Sequence, residues 1–193
     1  PPDDMPSPVF SLISANPLSI QADGSSTSLI TVQLKYPNGV NVTLGGDVVC
    51  LSTTAGSLSG SQGSCPVGHV QAADQSNGTY TATLTAGTLA ATAVITGVLN
   101  GDAMSDDEEV TLTPGAATRL AFGQQPTNTE PGQDIAPPIT VRIEDANGNL
   151  IGRHRSTGIT KPNFTEKARY YNEEAALVEA LERANVEQHQ AMR

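Results

Sequence analysis

The sequence contains no tryptophan, and aromatic residues make up only 4% of its 193 residues. Basic residues are also scarce: 10 Lys and Arg stand against 20 Asp and Glu, which gives a formal net charge of −10. Nucleic-acid binding needs clustered Lys and Arg to neutralise phosphates, so this composition argues against a nucleic-acid partner. No apolar run approaches the ~18 residues of a membrane-spanning helix, so no membrane span is expected.

Motifs for catalysis and cofactor binding are missing as well. The sequence has no P-loop, no GxGxxG and no HExxH, and its three histidines stand far apart along the chain. We therefore expect a non-enzymatic protein that needs no cofactor. The chain begins Pro1-Pro2-Asp3-Asp4, with neither Met nor a signal peptide, which suggests a processed product or an excised fragment.

Cysteine is limited to Cys50 and Cys65, which lie 15 residues apart. This spacing is too wide for a CxxC redox pair, and two cysteines are too few for a zinc site. A disulfide between them would stabilise the fold by about 3 kcal/mol on chain-entropy grounds. It would also favour an oxidising or extracellular setting. The alternative is two reduced, partly buried thiols.

The sequence contains an internal repeat. Residues 30–42 recur as residues 139–151 at an offset of 109, and both copies share Ile-Thr-Val and Asn-Gly at matching places. Apolar and polar residues alternate in each copy, and this period of two is typical of a β-strand with one buried face. The Asn-Gly pair predicts a reversal into the next strand. A repeat of about 100 residues with short strands favours tandem β-sandwiches.

A second strand with strong alternation is predicted at residues 79–85, where Tyr80, Ala82 and Leu84 face one way and the threonines the other. Tyr80 is a candidate corner tyrosine, with its hydroxyl bonded to backbone, or else a half-buried packing residue. Residues 89–99 are predicted as another strand and residues 110–113 as a closing strand. Pro114-Gly115 then ends the first domain, which we place at residues 1–113.

Residues 16–113 resemble the bacterial Ig-like domains of the invasin and intimin adhesins. The matching pieces are Ala22-Asp23-Gly24 and residues 30–39, 51–58 and 77–86, the last containing Gly-Thr-Tyr-Thr-Ala-Thr-Leu. This resemblance implies a rod-like extracellular spacer or adhesive module of stacked sandwiches without catalysis. The sequence departs from the family pattern in an insertion around residues 60–74 and in its two cysteines.

Residues 114–151 resemble part of a second such domain, with strands expected at residues 119–123 and 139–145. The alternation then stops, so we expect an incomplete unit followed by a linker at residues 152–163. Residues 164–193 are predicted to form an amphipathic helix. Its apolar stripe needs a partner to cover it. The expected partner-contact residues on that stripe are Phe164, Tyr171, Val178 and Leu181.

One acidic cluster is a candidate metal site. It consists of Asp102, Asp106, Asp107, Glu108 and Glu109, near the junction of the two predicted sandwich units. Carboxylates at such a junction could bind Ca²⁺ and stiffen a rod. They lack the spacing of an EF-hand loop, and the alternative interpretation is a solvated acidic loop.

The fold class expected from sequence is therefore mainly β: an Ig-like β-sandwich, an incomplete second Ig-like unit and a C-terminal helix. Two functions follow from it. The first is a non-enzymatic structural or adhesive module, extracellular or on the cell surface, that binds protein partners through loop tips. The second is a decoration or tail subunit of a phage virion or surface filament, which oligomerises through residues 116–193. A third alternative is an artificial or truncated fusion.

Overall fold

The computed structural model describes residues 5–155, with residues 153–155 described by their backbone alone. Within these residues the regular structure is entirely β. The strands are β1 (Leu12–Asn16), β2 (Ser19–Gln21), β3 (Thr27–Gln33), β4 (Val49–Thr53), β5 (Ser57–Leu58), β6 (Val70–Gln71), β7 (Ala73–Asp74), β8 (Thr79–Thr85), β9 (Ala91–Leu99), β10 (Asp102–Thr113), β11 (Arg119–Gln124), β12 (Thr140–Glu144) and β13 (Leu150–Arg155).

Two sheets form a first compact unit that ends at Pro114. One sheet has the order β1-β3-β8-β5, with β7 also pairing with β8. The other has the order β2-β10-β9-β4-β6, in which β2 runs parallel to β10. The predicted β-sandwich is therefore confirmed, although consecutive strands are often assigned to different sheets.

The core of this unit lies between the two sheets. On β8 the buried side chains are Tyr80, Ala82 and Leu84, while the intervening threonines are half-buried, as the alternation predicts. The facing sheet contributes Ile95 and Val110, both fully buried. Full burial of one such aliphatic side chain contributes about 1.5–3 kcal/mol, so this shared core supplies most of the stability of the unit.

A second compact unit begins at Gly115 and contains the three-stranded antiparallel sheet β11-β12-β13. Its strand β12 is the second copy of the sequence repeat. The strands β11 and β12 expected from sequence are present, and β13 adds a third that sequence analysis did not predict.

Two sequence expectations are corrected here. The predicted linker at residues 152–163 begins too early, because β13 pairs with β12 as far as Arg155 through backbone groups that need no side-chain alternation. The acidic run at residues 106–109 is not a loop before a short strand, because it lies within β10 and pairs with β9. The rest of the linker and the helix predicted at residues 164–193 lie outside the described residues.

Candidate functional site

The two cysteines form the predicted disulfide. Cys50 lies on β4 and Cys65 in the long loop between β5 and β6, with Cα atoms 5.6 Å apart. Both residues are buried. The bond therefore ties an inserted loop to a central part of the second sheet, and the alternative of two reduced thiols is wrong for this structure.

We call the loop between β5 and β6, residues 59–69, the disulfide loop because it contains Cys65. It ends in a tight turn at residues 66–69. The backbone N–H of His69 donates to the carbonyl of Pro66 at 3.1 Å, and Gly68 has a φ of +86°. This pattern is that of a type II turn, whose third position favours glycine. Val67 occupies the apex and is 89% exposed. The turn thus presents one apolar side chain to solvent on a short segment.

Hydrogen bonds hold the loop beneath this turn. The backbone N–H of Gln71 donates to the carbonyl of Ser61 at 2.8 Å, and the N–H of Cys65 donates to the carbonyl of Gln62 at 2.8 Å. Together with the disulfide, these bonds restrict the loop before any partner binds. Such preorganisation lowers the entropic cost of association. The arrangement suits a contact role.

The five carboxylates considered for Ca²⁺ all lie on β10. Asp106 is half-buried and Asp107 exposed, as expected for neighbours that face opposite sides of a strand. Within residues 5–155 no group of three or more His, Cys, Asp or Glu side chains is placed to hold a metal ion. The geometry lends the calcium hypothesis no support, and it stays a prediction from sequence.

One of these carboxylates has a structural contact instead. The Oδ2 atom of Asp106 accepts a hydrogen bond from the backbone N–H of Ile13 at 2.6 Å. Close by, the N–H of Ser105 donates to the carbonyl of Pro8 at 3.1 Å. Since β3 already pairs with the other side of β1, Asp106 occupies a donor on the outer edge of β1, and the Pro8 contact lies just before that strand.

Tyr80 is fully buried, and its hydroxyl accepts a hydrogen bond from the backbone N–H of Asp47 at 2.9 Å. Burial, above all, raises the pKa of the phenol, although the bond from Asp47 opposes that rise. The hydroxyl bonds to the segment that leads into β4. Of the two sequence-based interpretations, the backbone-bonded tyrosine fits better than simple half-buried packing, and the role is structural.

The second unit contains a carboxylate that sequence analysis did not single out. Asp145 is buried at the end of β12 and accepts hydrogen bonds from the backbone N–H groups of Gly115, Asn147 and Asn149 at 2.8–2.9 Å. The Asn149 side-chain amide donates a further bond at 2.8 Å. Burial raises the pKa of Asp145, but these bonds together lower it to about 2. The sequence feature that could have indicated this turn is an Asp two residues before Asn147-Gly148.

The residues predicted to contact a partner, Phe164, Tyr171, Val178 and Leu181, lie outside the described residues. Among the described residues no helix is long and apolar enough to cross a membrane. The features that the structure brings together are therefore the disulfide loop with its exposed apex and, in the second unit, the turn organised by Asp145.

Three solved structures are similar to this chain. The adhesin InvE of Yersinia pseudotuberculosis has 29% identity and a TM-score of 0.50, covering 73% of this chain and 36% of that protein. InvD of the same organism has 29% identity and a TM-score of 0.50, covering 74% and 39%. Invasin, described as a bacterial integrin-binding protein, has 25% identity and a TM-score of 0.52, covering 77% and 28%.

This chain therefore spans between 28% and 39% of the length of these structures. No curated protein matches the sequence significantly. A family model described as "Invasin, domain 3" matches residues 7–115, which is more than half of the 193 residues. The Ig-like fold of the first unit and the resemblance to invasin-type adhesins are thus confirmed, and the chain belongs to the invasin domain 3 family.

Proposed function

We propose that this chain is a non-enzymatic, surface-displayed Ig-like module that contributes to adhesion by binding a protein partner. The observation that carries the proposal is the match of residues 7–115 to the invasin domain 3 family. The similar solved structures support it, because one is described as an adhesin and another as integrin-binding. What those longer proteins bind is a starting hypothesis for this chain.

The disulfide supports the proposed location. Cys50 and Cys65 are paired in the folded chain, and structural disulfides persist in oxidising environments rather than in the reducing cytosol. An extracellular or cell-surface setting is therefore the compartment in which this loop keeps its shape. The acidic net charge of −10 is compatible with a soluble surface that does not bind nucleic acid.

The contact that we assign to this function is the apex of the disulfide loop. Val67 is 89% exposed, and the turn beneath it is held by a disulfide and by backbone hydrogen bonds. An apolar side chain on a restrained loop fits a small apolar pocket on a protein surface, because burial there removes its apolar surface from water. The chemistry expected of the partner is therefore a protein with such a pocket.

The test is attachment of beads coated with the purified chain to cultured mammalian cells. We expect attachment above that of albumin-coated beads, and we expect Val67→Ser to reduce it. Leu89→Ser is the matched control, because Leu89 is 69% exposed and lies outside the loop. Attachment no higher than that of albumin would contradict the adhesive function. Equal effects of the two substitutions would contradict the role of the loop apex.

A second candidate is the structural subunit of a phage virion or surface filament, anchored through residues 116–193. It is favoured by the second unit, whose described strands form a single sheet with large apolar side chains exposed, among them Leu120 and Phe122. An anchored subunit would assemble into particles of many copies. Sedimentation of the purified chain as assemblies much larger than a dimer would support this candidate, and their absence would exclude it.

A further inference from the structure

The sequence contains four Asn-Gly pairs, which begin at Asn38, Asn77, Asn100 and Asn147. Such a pair can modify itself, because glycine has no side chain to hinder the attack of its backbone nitrogen on the Asn side-chain carbonyl. The attack is favoured by a glycine N–H without an acceptor, a side-chain carbonyl polarised by donors and a side-chain amide free to leave. The hydrogen bonds of the folded chain therefore decide which pair reacts first.

In two of the four pairs the glycine nitrogen closes a β-turn. The N–H of Gly39 donates to the carbonyl of Tyr36 at 2.8 Å. The N–H of Gly148 donates to the carbonyl of Asp145 at 3.1 Å. Each is the bond between the first and fourth residues of its turn. Attack would have to break the turn first, so both pairs should react slowly.

The pair at Asn100 is protected through its side chain. The Oδ1 atom accepts a hydrogen bond from the backbone N–H of Val48 at 2.9 Å. The Nδ2 atom donates to the carboxylate of Asp47 at 2.8 Å. The amide that would have to leave is therefore held by a charged acceptor, and such bonds are stronger than neutral ones. This pair should also react slowly.

Asn77 differs from the other three. Its side chain is exposed, and its Oδ1 atom accepts bonds from the backbone N–H of Thr79 at 3.0 Å and from the Thr79 hydroxyl at 2.6 Å. A backbone N–H can only donate, so the contact identifies this atom as the oxygen. Within residues 5–155, neither Nδ2 of Asn77 nor the N–H of Gly78 has a hydrogen-bond partner. All three conditions for the attack are met.

We propose that Asn77 is a site of spontaneous deamidation in the folded protein, with the two donors of Thr79 stabilising the intermediate. The Gly78 nitrogen loses its proton to solvent base and bonds to Cγ of Asn77, which places a negative charge on Oδ1. The N–H and O–H of Thr79 stabilise that charge, as paired donors do in an oxyanion hole. Nδ2 takes a proton from water and leaves as ammonia, so a cyclic succinimide remains.

Water completes the reaction. It adds to one of the two carbonyl carbons of the succinimide and opens the ring, which leaves an aspartyl or an isoaspartyl residue at position 77. No atom is oxidised or reduced, and water is the only co-reactant. The modification goes beyond the adhesive function, because it changes the chain covalently without any partner.

The product should affect the packing of the first unit. Gly78 is buried with a φ of +80°, and a Cβ atom at this position would overlap the carbonyl oxygen of Val42. The carbonyl of Gly78 accepts a hydrogen bond from the N–H of Leu34 at 3.0 Å. The isoaspartyl product adds a carbon to the backbone just before Gly78, so these close contacts have to shift. We expect this product to lower the melting temperature of the first unit.

The experiment is incubation of the folded full chain at mildly alkaline pH in isotopically labelled water, followed by peptide mass spectrometry. We expect position 77 to take up label before the other three sites. Thr79→Val should slow its reaction roughly fivefold, the rate equivalent of one neutral hydrogen bond. Thr79→Ser keeps the hydroxyl and should react at the unsubstituted rate. Thr83→Val is the matched control, because it makes the same change on the same strand away from Asn77.

Two further measurements complete the test. Circular dichroism checks that the variants keep their strand content. Incubation of the chain unfolded in guanidinium should abolish the lead of position 77, because the hydrogen bonds that distinguish the four pairs are then lost.

Three outcomes overturn the proposal. The first is a folded chain in which another pair reacts before Asn77, or in which none reacts. The second is a folded Thr79→Val variant that reacts as fast as the unsubstituted chain or faster, which means that the hydroxyl restrains the side chain instead of activating it. The third is an equal lead of position 77 in the unfolded chain. None of these outcomes bears on the bead attachment that tests the adhesive function, so the two proposals fail separately.

Discussion

The turn after β3 can be compared bond by bond with the turn after β12, because the two are copies of one sequence repeat. In the first, the N–H of Tyr36 donates to Val40 at 2.9 Å and Gly39 has a φ of +83°. In the second, the N–H of Asp145 donates to Asn149 at 3.0 Å and Gly148 has a φ of +87°. Asn-Gly therefore sets the same local turn in both units.

The two copies differ in what covers their strands. Leu34 on the first copy is fully buried, whereas its counterpart Ile143 is only half-buried. In the first unit β3 is flanked by β1 and β8 beneath a second sheet, while β12 is flanked by β11 and β13 alone. A short sequence thus determines a turn and a strand, but burial depends on strands supplied from elsewhere.

The largest expected effect comes from truncating the matched apolar residues. Leu34→Ala should lower the free energy of unfolding of the first unit by about 2–5 kcal/mol, because it leaves a cavity in a packed core. Ile143→Ala should lower that of the second unit by less than about 1 kcal/mol, because the site is already partly open. Guanidinium denaturation followed by circular dichroism at low protein concentration measures both. Similar losses of unfolding free energy at the two positions would contradict the conclusion that Leu34 and Ile143 differ in burial.

Removing the disulfide should destabilise the first unit and leave the second unchanged. We expect the double substitution Cys50→Ala and Cys65→Ala to lower the free energy of unfolding of the first unit by about 3 kcal/mol, because the unfolded chain gains freedom. The second unit contains neither cysteine, so its transition should not move. A parallel shift of both transitions would show that the units do not unfold independently.

Tyr80→Phe should cost the first unit about 1 kcal/mol, because it deprives the N–H of Asp47 of its acceptor while leaving the ring in the core. Tyr36→Phe is the control, since the Tyr36 hydroxyl makes no hydrogen bond among the described residues. Thermal denaturation of the two variants measures the difference. Equal melting temperatures for the two variants would show that the bond from Asp47 to Tyr80 does not stabilise the first unit.

The smallest effect concerns pH in the second unit. The pKa of Asp145 falls from 3.8 to about 2 in the folded chain, so its carboxylate adds stability above pH 3.8 that is lost as pH falls toward 2. Asp145→Asn should remove this part of the acid sensitivity. The unfolding midpoint of the second unit, followed from pH 5 to about pH 2 in both forms, measures it. Identical pH profiles would contradict the assignment.

The sequence was sufficient to predict the features that rest on local patterns. Alternation located β8, the repeat located β3 and β12, and an inserted loop with little else to hold it favoured a disulfide between Cys50 and Cys65. These features depend on neighbouring residues or on a recurring segment. The resemblance to adhesin Ig-like domains rested on the same segments, and the family match confirms it.

Features that depend on distant partners were missed. The acidic run suggested a loop because its charges carry no apolar alternation, yet pairing with β9 draws it into β10. β13 was missed for the same reason, since β12 provides the backbone partners that its own sequence does not suggest. The exposure of Val67 depends on how the loop between β5 and β6 folds, and the hydrogen bond from Gly115 to Asp145 joins positions 30 residues apart in the sequence.

The contact between Asp106 and the backbone of Ile13 has a consequence for solubility. An uncovered outer strand offers a row of free amide groups on which other chains can assemble as fibrils. At β1 the carboxylate of Asp106 accepts from one of those donors, the N–H of Ile13, and just before the strand the carbonyl of Pro8 accepts from Ser105. A negatively charged side chain at this margin also repels approaching acidic molecules of the same kind. Asp106 therefore removes one of the donors that a further strand would need along that side.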